Sequence, residues 1–298
     1  MRWNQRKLWI SLAVLAVVLL VAIVASQGLD FTGSTMFPVQ ANGKFGYMTK
    51  SGKLQIPAQF EDAKMFQDGL APVRLQGRWG YIDRKGRLSV TPQFDLADPF
   101  YEGLAMVGVG HKLGYINTDG KFVLNPQFTG AGRFGDGLAP VLMNGRWGYV
   151  DKSAKIQIAP QFEEAGSFSD GLAMVRLGDR WGYINKQGKI VINPQFEGAG
   201  DFNDGLALVK LAGKFGYVDK NGKYVINPQF DEAGEFNDGL ASVKLNGRFG
   251  FIDKDGKMVI APQFEDAGDF AGGLAPVWVG NRQGYINRSG KFIWNPTA

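Results

Sequence analysis

His111 is the only histidine in the chain, and the first residue to weigh for acid–base or metal chemistry. It has no second histidine with which to share a metal and no cysteine to activate. Its setting, Gly110-His111, reads as the Gly-X step of a tight hairpin, so a turn role is expected. Carboxylates recur in two series. One precedes a Gly-Leu pair, as Asp68, Glu102, Asp136, Asp170, Asp204 and Asp238. The other follows a Gln-Phe pair, as Glu61, Asp95, Glu163, Glu197, Asp231 and Glu265. A carboxylate-based hydrolase needs one unique pair at a defined separation, not a set spread evenly along the chain. These aspartates are expected to stabilise turns by bonding their own backbone. No run approaches the density of a calcium loop. Gly108 to Gly114 has the wrong spacing for a dinucleotide fingerprint, and Gly284 to Lys291 fails as a phosphate loop. Catalytic, cofactor-binding and metal-ligating sets are therefore all expected to be none.

The even spacing itself is the main signal. Gly-aromatic pairs stand at Gly46-Tyr47, Gly80-Tyr81, Gly114-Tyr115, Gly148-Tyr149, Gly182-Tyr183, Gly216-Tyr217, Gly250-Phe251 and Gly284-Tyr285, each 34 residues after the last. A fixed period of this length means a repeat architecture. Turn chemistry divides each unit into three strands. The first turn carries Asn42-Gly43, Asn144-Gly145 and Asn246-Gly247 in some copies, and Gly110-His111, Gly178-Asp179 and Gly280-Asn281 in others. Asn-Gly suits a type I′ hairpin and Gly-X a type II′. The second turn, Asp219-Lys220-Asn221-Gly222-Lys223 and its variants, reads as type I with a left-handed glycine. Ala154 is the departure there and is expected to carry backbone strain.

With Gln76-Gly77 as the turn, Leu75 faces Arg78 and Pro72 faces Tyr81. Proline recurs at that position as Pro38, Pro140 and Pro276, which argues for an edge strand and places the Gly-Tyr strand in the centre of a meander. One sheet face then bears Leu70, Pro72, Trp79 and Tyr81. The other bears Ala71, Val73, Leu75, Gly80 and Ile82. Two apolar faces require neighbours on both sides, so the units stack face to face as a propeller-like ring or an open β superhelix. Glycine in the central strand is expected to allow a close approach from a neighbour. The pair Phe196 and Phe202, recurring as Phe162 and Phe168, is expected to pin the crossover to the core. The fold class expected is all-β: eight three-stranded meander repeats over 36–298, after a hydrophobic segment at 1–26 and a linker at 27–35.

The same register sets Arg74 opposite Trp79, Arg176 opposite Trp181, Lys210 opposite Phe215 and Lys244 opposite Phe249, which are candidate cation–π pairs. Trp79, Trp147 and Trp181 are the candidate ligand-stacking surface, set against a plain packing role.

Arg2, Arg6 and Lys7 precede an uncharged apolar run from Leu8 to Val24, broken only by Ser11. That order is a signal-anchor, long enough at the lower limit to cross a bilayer as a helix. A secreted form cleaved near Ser26 is the alternative. Both place the body outside the cytoplasm. Removing those three cations from the 33 basic residues leaves 30 against 28 acidic. A balance of +2 gives no electrostatic footprint for nucleic acid.

The run Gly77-Arg78-Trp79-Gly80-Tyr81-Ile82-Asp83, followed by Pro92-Gln93-Phe94 and Gly103-Leu104-Ala105, resembles the WG-repeat family, also called KWG. The resemblance covers about nine-tenths of the chain, from near Met36. Phe45, Phe215 and Phe249 replace the tryptophan in three copies. Leu113 and Gln283 replace it in two, where packing is expected to be weaker. The family implies a bacterial β-repeat protein, often secreted, without a shared catalytic residue. The expected function is a non-catalytic extracytoplasmic module that binds protein partners at the cell envelope, tethered to the membrane by its N-terminal helix and with no cofactor. A cell-wall glycan binder is the alternative, and a carboxylate-based hydrolase ranks below both.

Overall fold

The computed structural model describes residues 35–296. The segment at 1–26 and most of the 27–35 linker lie outside the described residues. Among the described residues there is no helix; they form strands, isolated bridges, turns, bends and irregular connections. The described residues form eight antiparallel sheets, one per repeat. By contact the described residues divide into two compact units, one running to 109 with 116–121 and the other of 110–115 with 122 onward.

Repeat 4 shows the meander in its simplest form, with Leu138–Met143, Arg146–Asp151 and Ile156–Phe162 in that order. The register is the one the turns demand, with Pro140 opposite Tyr149 and Met143 opposite Arg146. First turns carry two left-handed residues where the sequence has X-Gly, as in Asn144 (φ 51°) and Gly145 (φ 78°). Gly178 is left-handed at φ 61°, as type II′ requires. Ala154 sits at φ 64°, so the strain expected there is present.

Six of the eight sheets hold one strand more than expected. In those six, a short inner strand forms from the chain that enters the repeat. Asp62–Ala63 pairs with Leu70–Leu75 through Asp62 opposite Arg74 and Ala63 opposite Val73. The first strand is therefore covered over half its length and is not the edge. Pro72 remains compatible because only its carbonyl is used, accepting from the Lys64 amide at 3.0 Å. The glycine of the central strand also has a different cause. A Cβ at Gly148 would stand 2.6 Å from the Ile158 carbonyl oxygen and 2.8 Å from the Pro160 nitrogen. The close approach comes from the third strand of its own sheet, which bulges between Ile158 and Phe162, opposite Tyr149 and Trp147.

The two-faced pattern stacks as expected within each unit. In the first, Met36, Tyr47 and Ile56 of one repeat pack against Ala71, Val73 and Ile82 of the next. In the second, Leu138, Tyr149 and Ile158 pack against Ala173, Val175 and Ile184. The crossover is pinned as expected, with Phe202 edge-on to Tyr183 at 4.8 Å between ring centres. That tyrosine also donates its hydroxyl to the Gly200 carbonyl at 2.9 Å, tying central strand to crossover. Where Gln283 lacks the usual ring, Trp278 supplies one from directly across the pair.

Candidate functional site

The two carboxylate series hold the repeats together. Asp170 lies left-handed at φ 57° in an Asp-Gly turn, and its Oδ2 accepts from the Gly205 amide of the following repeat at 2.9 Å. Asp68, Asp136, Asp204 and Asp238 make the same bond to Gly103, Gly171, Gly239 and Gly273. The expectation that these aspartates bond their own backbone is thus corrected: the acceptor reaches one repeat onward. In the second series Glu197 accepts from the Ala212 and Gly213 amides, both at 3.0 Å. Asp95 pairs with Arg78 and Glu265 with Arg248. Self-bonding does occur, at the second turn, where Asp219 Oδ1 accepts from the Asn221 and Lys223 amides.

The tryptophans divide by setting. Trp79 is 8 % exposed and lies under the Lys64 ammonium at 5.2 Å. Trp147 and Trp181 are half-buried against the core. Arg176, opposite Trp181, is held by Glu163 at 3.0 Å and Glu164 at 2.6 Å. Trp147 faces Leu142, a position that carries a cation in repeats 2, 5, 6 and 7. Lys210 and Lys244 stand 5.1 and 5.2 Å from the rings of Phe215 and Phe249, as the register predicts. His111 is exposed in its hairpin turn. Among the described residues, no group of three or more histidine or acidic side chains is arranged to hold a metal.

A polar cluster that the sequence reading missed lies on the inner segments of the second unit. Arg133, Ser167, Asp201, Glu235 and Asp269 occupy one position of successive repeats, each just before the crossover phenylalanine. Each follows a glycine, and the glycines leave room for the next repeat's side chain. A Cβ at Gly200 would stand 2.8 Å from Glu235 Oε1. Ser167 donates to the Arg133 carbonyl at 2.9 Å. Glu235 accepts from the Asp201 amide at 3.0 Å and from Asn203 Nδ2 at 2.6 Å. Arg133 reaches past one whole repeat to Asp201 Oδ2 at 3.0 Å, while Asp201 Oδ1 is buried with no hydrogen-bond partner.

Burial raises the Asp201 carboxyl above its ordinary range, against the pull of Arg133. Burial, reinforced by the Asp201 charge, pushes Glu235 up to about 7. Crowding by protein also raises Asp269, but that residue is open to solvent and hydration offsets part of the rise. The signal that could have located this cluster was a charged column at 34-residue spacing, set between a glycine and a core phenylalanine.

The fold has counterparts among solved structures. A eukaryotic initiation factor aligns over 89 % of this chain and 85 % of that one, at 12 % identity and a TM-score of 0.56. The dihydro-heme d1 dehydrogenase NirN, solved in complex with DHE, aligns over 90 % and 73 %, at 11 % identity and a TM-score of 0.57. Likeness at such identity speaks for fold alone, here an all-β arrangement of propeller blades. No curated protein matches the chain. The model of the WG containing repeat matches seven times, at 45–79, 79–112, 114–147, 147–181, 181–215, 215–249 and 249–282. Seven matches and eight sheets agree, because each match runs between two of eight successive Trp-equivalent positions. With most of its length in those matches, the chain belongs to the family of WG-containing repeat proteins.

Proposed function

We propose that this chain is a non-catalytic binding and scaffolding module, membrane-tethered by residues 1–26 with its repeat domain outside the cytoplasm. One observation carries the reading: the recurring acidic side chains are engaged in bonds between repeats. What the array then offers is a long surface built from similar units, which suits a protein partner. The order of Arg2, Arg6 and Lys7 before Leu8–Val24 supports the tether and its orientation. Labelling intact cells with a membrane-impermeant amine reagent tests the location, with modification of exposed lysines expected. Cross-linking on the same cells is expected to capture one partner reproducibly, and failure of both would sink the proposal.

A cell-wall glycan ligand is the second reading, favoured by one setting. Trp147 is half-buried and stands opposite Leu142, so no cation covers it from that pair. Saturable binding of purified cell-wall glycan by the full chain in detergent, lost in Trp147→Ala with its circular dichroism unchanged, would establish this reading in place of the first.

A further inference from the structure

The inner strands are two residues long in five of the six sheets that have one, but the strand before repeat 6, Gly198–Asn203, runs for six. Its outer half pairs through Phe202 opposite Ala207 and Asn203 opposite Leu206, after an irregularity at Gly200-Asp201. Across that irregularity the amide of Asp201 is taken by Glu235 of the next repeat, which also holds the Asn203 side chain. One carboxylate thus bridges the break in the strand. The groups facing it are Asp201 and Arg133, Asp269, and the hydroxyls of Tyr183 and Tyr217. Three carboxylates therefore share this space with one guanidinium, and one oxygen of Asp201 has no partner.

We propose that Glu235 is a proton-operated clasp: protonated, it holds the Gly198–Asn203 strand closed on repeat 6; ionised, its repulsion with Asp201 and Asp269 loosens that strand. The device concerns the second unit and does not depend on the ligand or the location of the protein. Its direction follows from linkage. Glu235 binds its proton more tightly folded, near 7, than at the ordinary value of 4.5. The stabilisation is complete below the ordinary value and is lost as pH rises through 7.

The test is hydrogen exchange on the full chain at pH 5.5 and 8, corrected for intrinsic rates. Protection of residues 198–203 is expected to fall about tenfold at pH 8 in the wild type. It is expected to fall clearly less in Glu235→Gln, which keeps the shape, removes the charge and leaves only the titration of Asp201 and Asp269. Equal pH dependence in both proteins overturns the proposal. Carbon-detected titration of the glutamate carboxyls in the wild type reads the same group without substitution. A titration near pH 7 that disappears on Glu235→Asp or Glu235→Gln supports the clasp, and complete ionisation of all glutamates by pH 5.5 overturns it.

Discussion

The backbone demands of single positions explain much of the repeat's residue choice. In five repeats the first turn has two left-handed residues, and the chain meets this with Asn42, Asn144 and Asn246, but also with Gln76 (φ 51°) and Ala212 (φ 50°). Asparagine tolerates this region because its short amide bonds locally, whereas a Cβ without that help meets the following carbonyl. Ala154 is the sharper case, since the other repeats place glycine there. At φ 64° its methyl group is strained in the folded state only. Ala154→Gly is therefore expected to stabilise the protein by about 0.5–1 kcal/mol, the relief of strain exceeding the added freedom of the unfolded chain. A urea unfolding midpoint that stays the same or falls would show that the turn has relaxed around alanine. This position was legible in the sequence because seven copies state the rule that the eighth breaks.

At the level of elements, hairpin register and face assignment were legible because both follow from period and turn type. Arg176 opposite Trp181 and Leu138 with Tyr149 on one face are consequences of where the turn sits. The inner strand was not legible, because pairing as short as Glu232–Ala233 has no period to detect. Nor could residue type say which amide an aspartate accepts from. Asp204 and Asp219 both stand in turns, yet one bonds Gly239 of the next repeat and the other its own loop. That distinction predicts how Asp204 responds to substitution. Asp204→Asn keeps a residue suited to φ 56° and a neutral acceptor, and is expected to cost about 1 kcal/mol. Asp204→Ala adds left-handed strain to the lost bond and is expected to cost about twice as much. Equal urea midpoints for the two variants would mean that neither a retained acceptor nor left-handed strain separates asparagine from alanine at this turn.

At the scale of the molecule, a repeat array need not behave as one core, and the interior of the second unit shows why. Each hydrophobic cluster there joins two successive repeats: Ile158 packs with Ile184 in one, and Ile260 with Ile286 in another. The inner polar cluster escaped the sequence reading for a related reason. Arg133, Ser167, Asp201, Glu235 and Asp269 share a column but not a residue type, so periodicity revealed the position without its chemistry. Contacts that run only between neighbours make stability a sum of repeat and interface terms. Ile158→Val and Ile184→Val sit in one interface and are each expected to cost about 1 kcal/mol. Combined, they should depart from additivity by about 0.5 kcal/mol or more, because the second lost methyl group enlarges a cavity opened by the first. Ile158→Val combined with Ile260→Val, in separate interfaces, should add within about 0.5 kcal/mol. Urea unfolding of the single and double variants closes both cycles. Strong coupling in the distant pair would mean that packing strain passes through the intervening repeats, and that the second unit responds as a single body, not blade by blade.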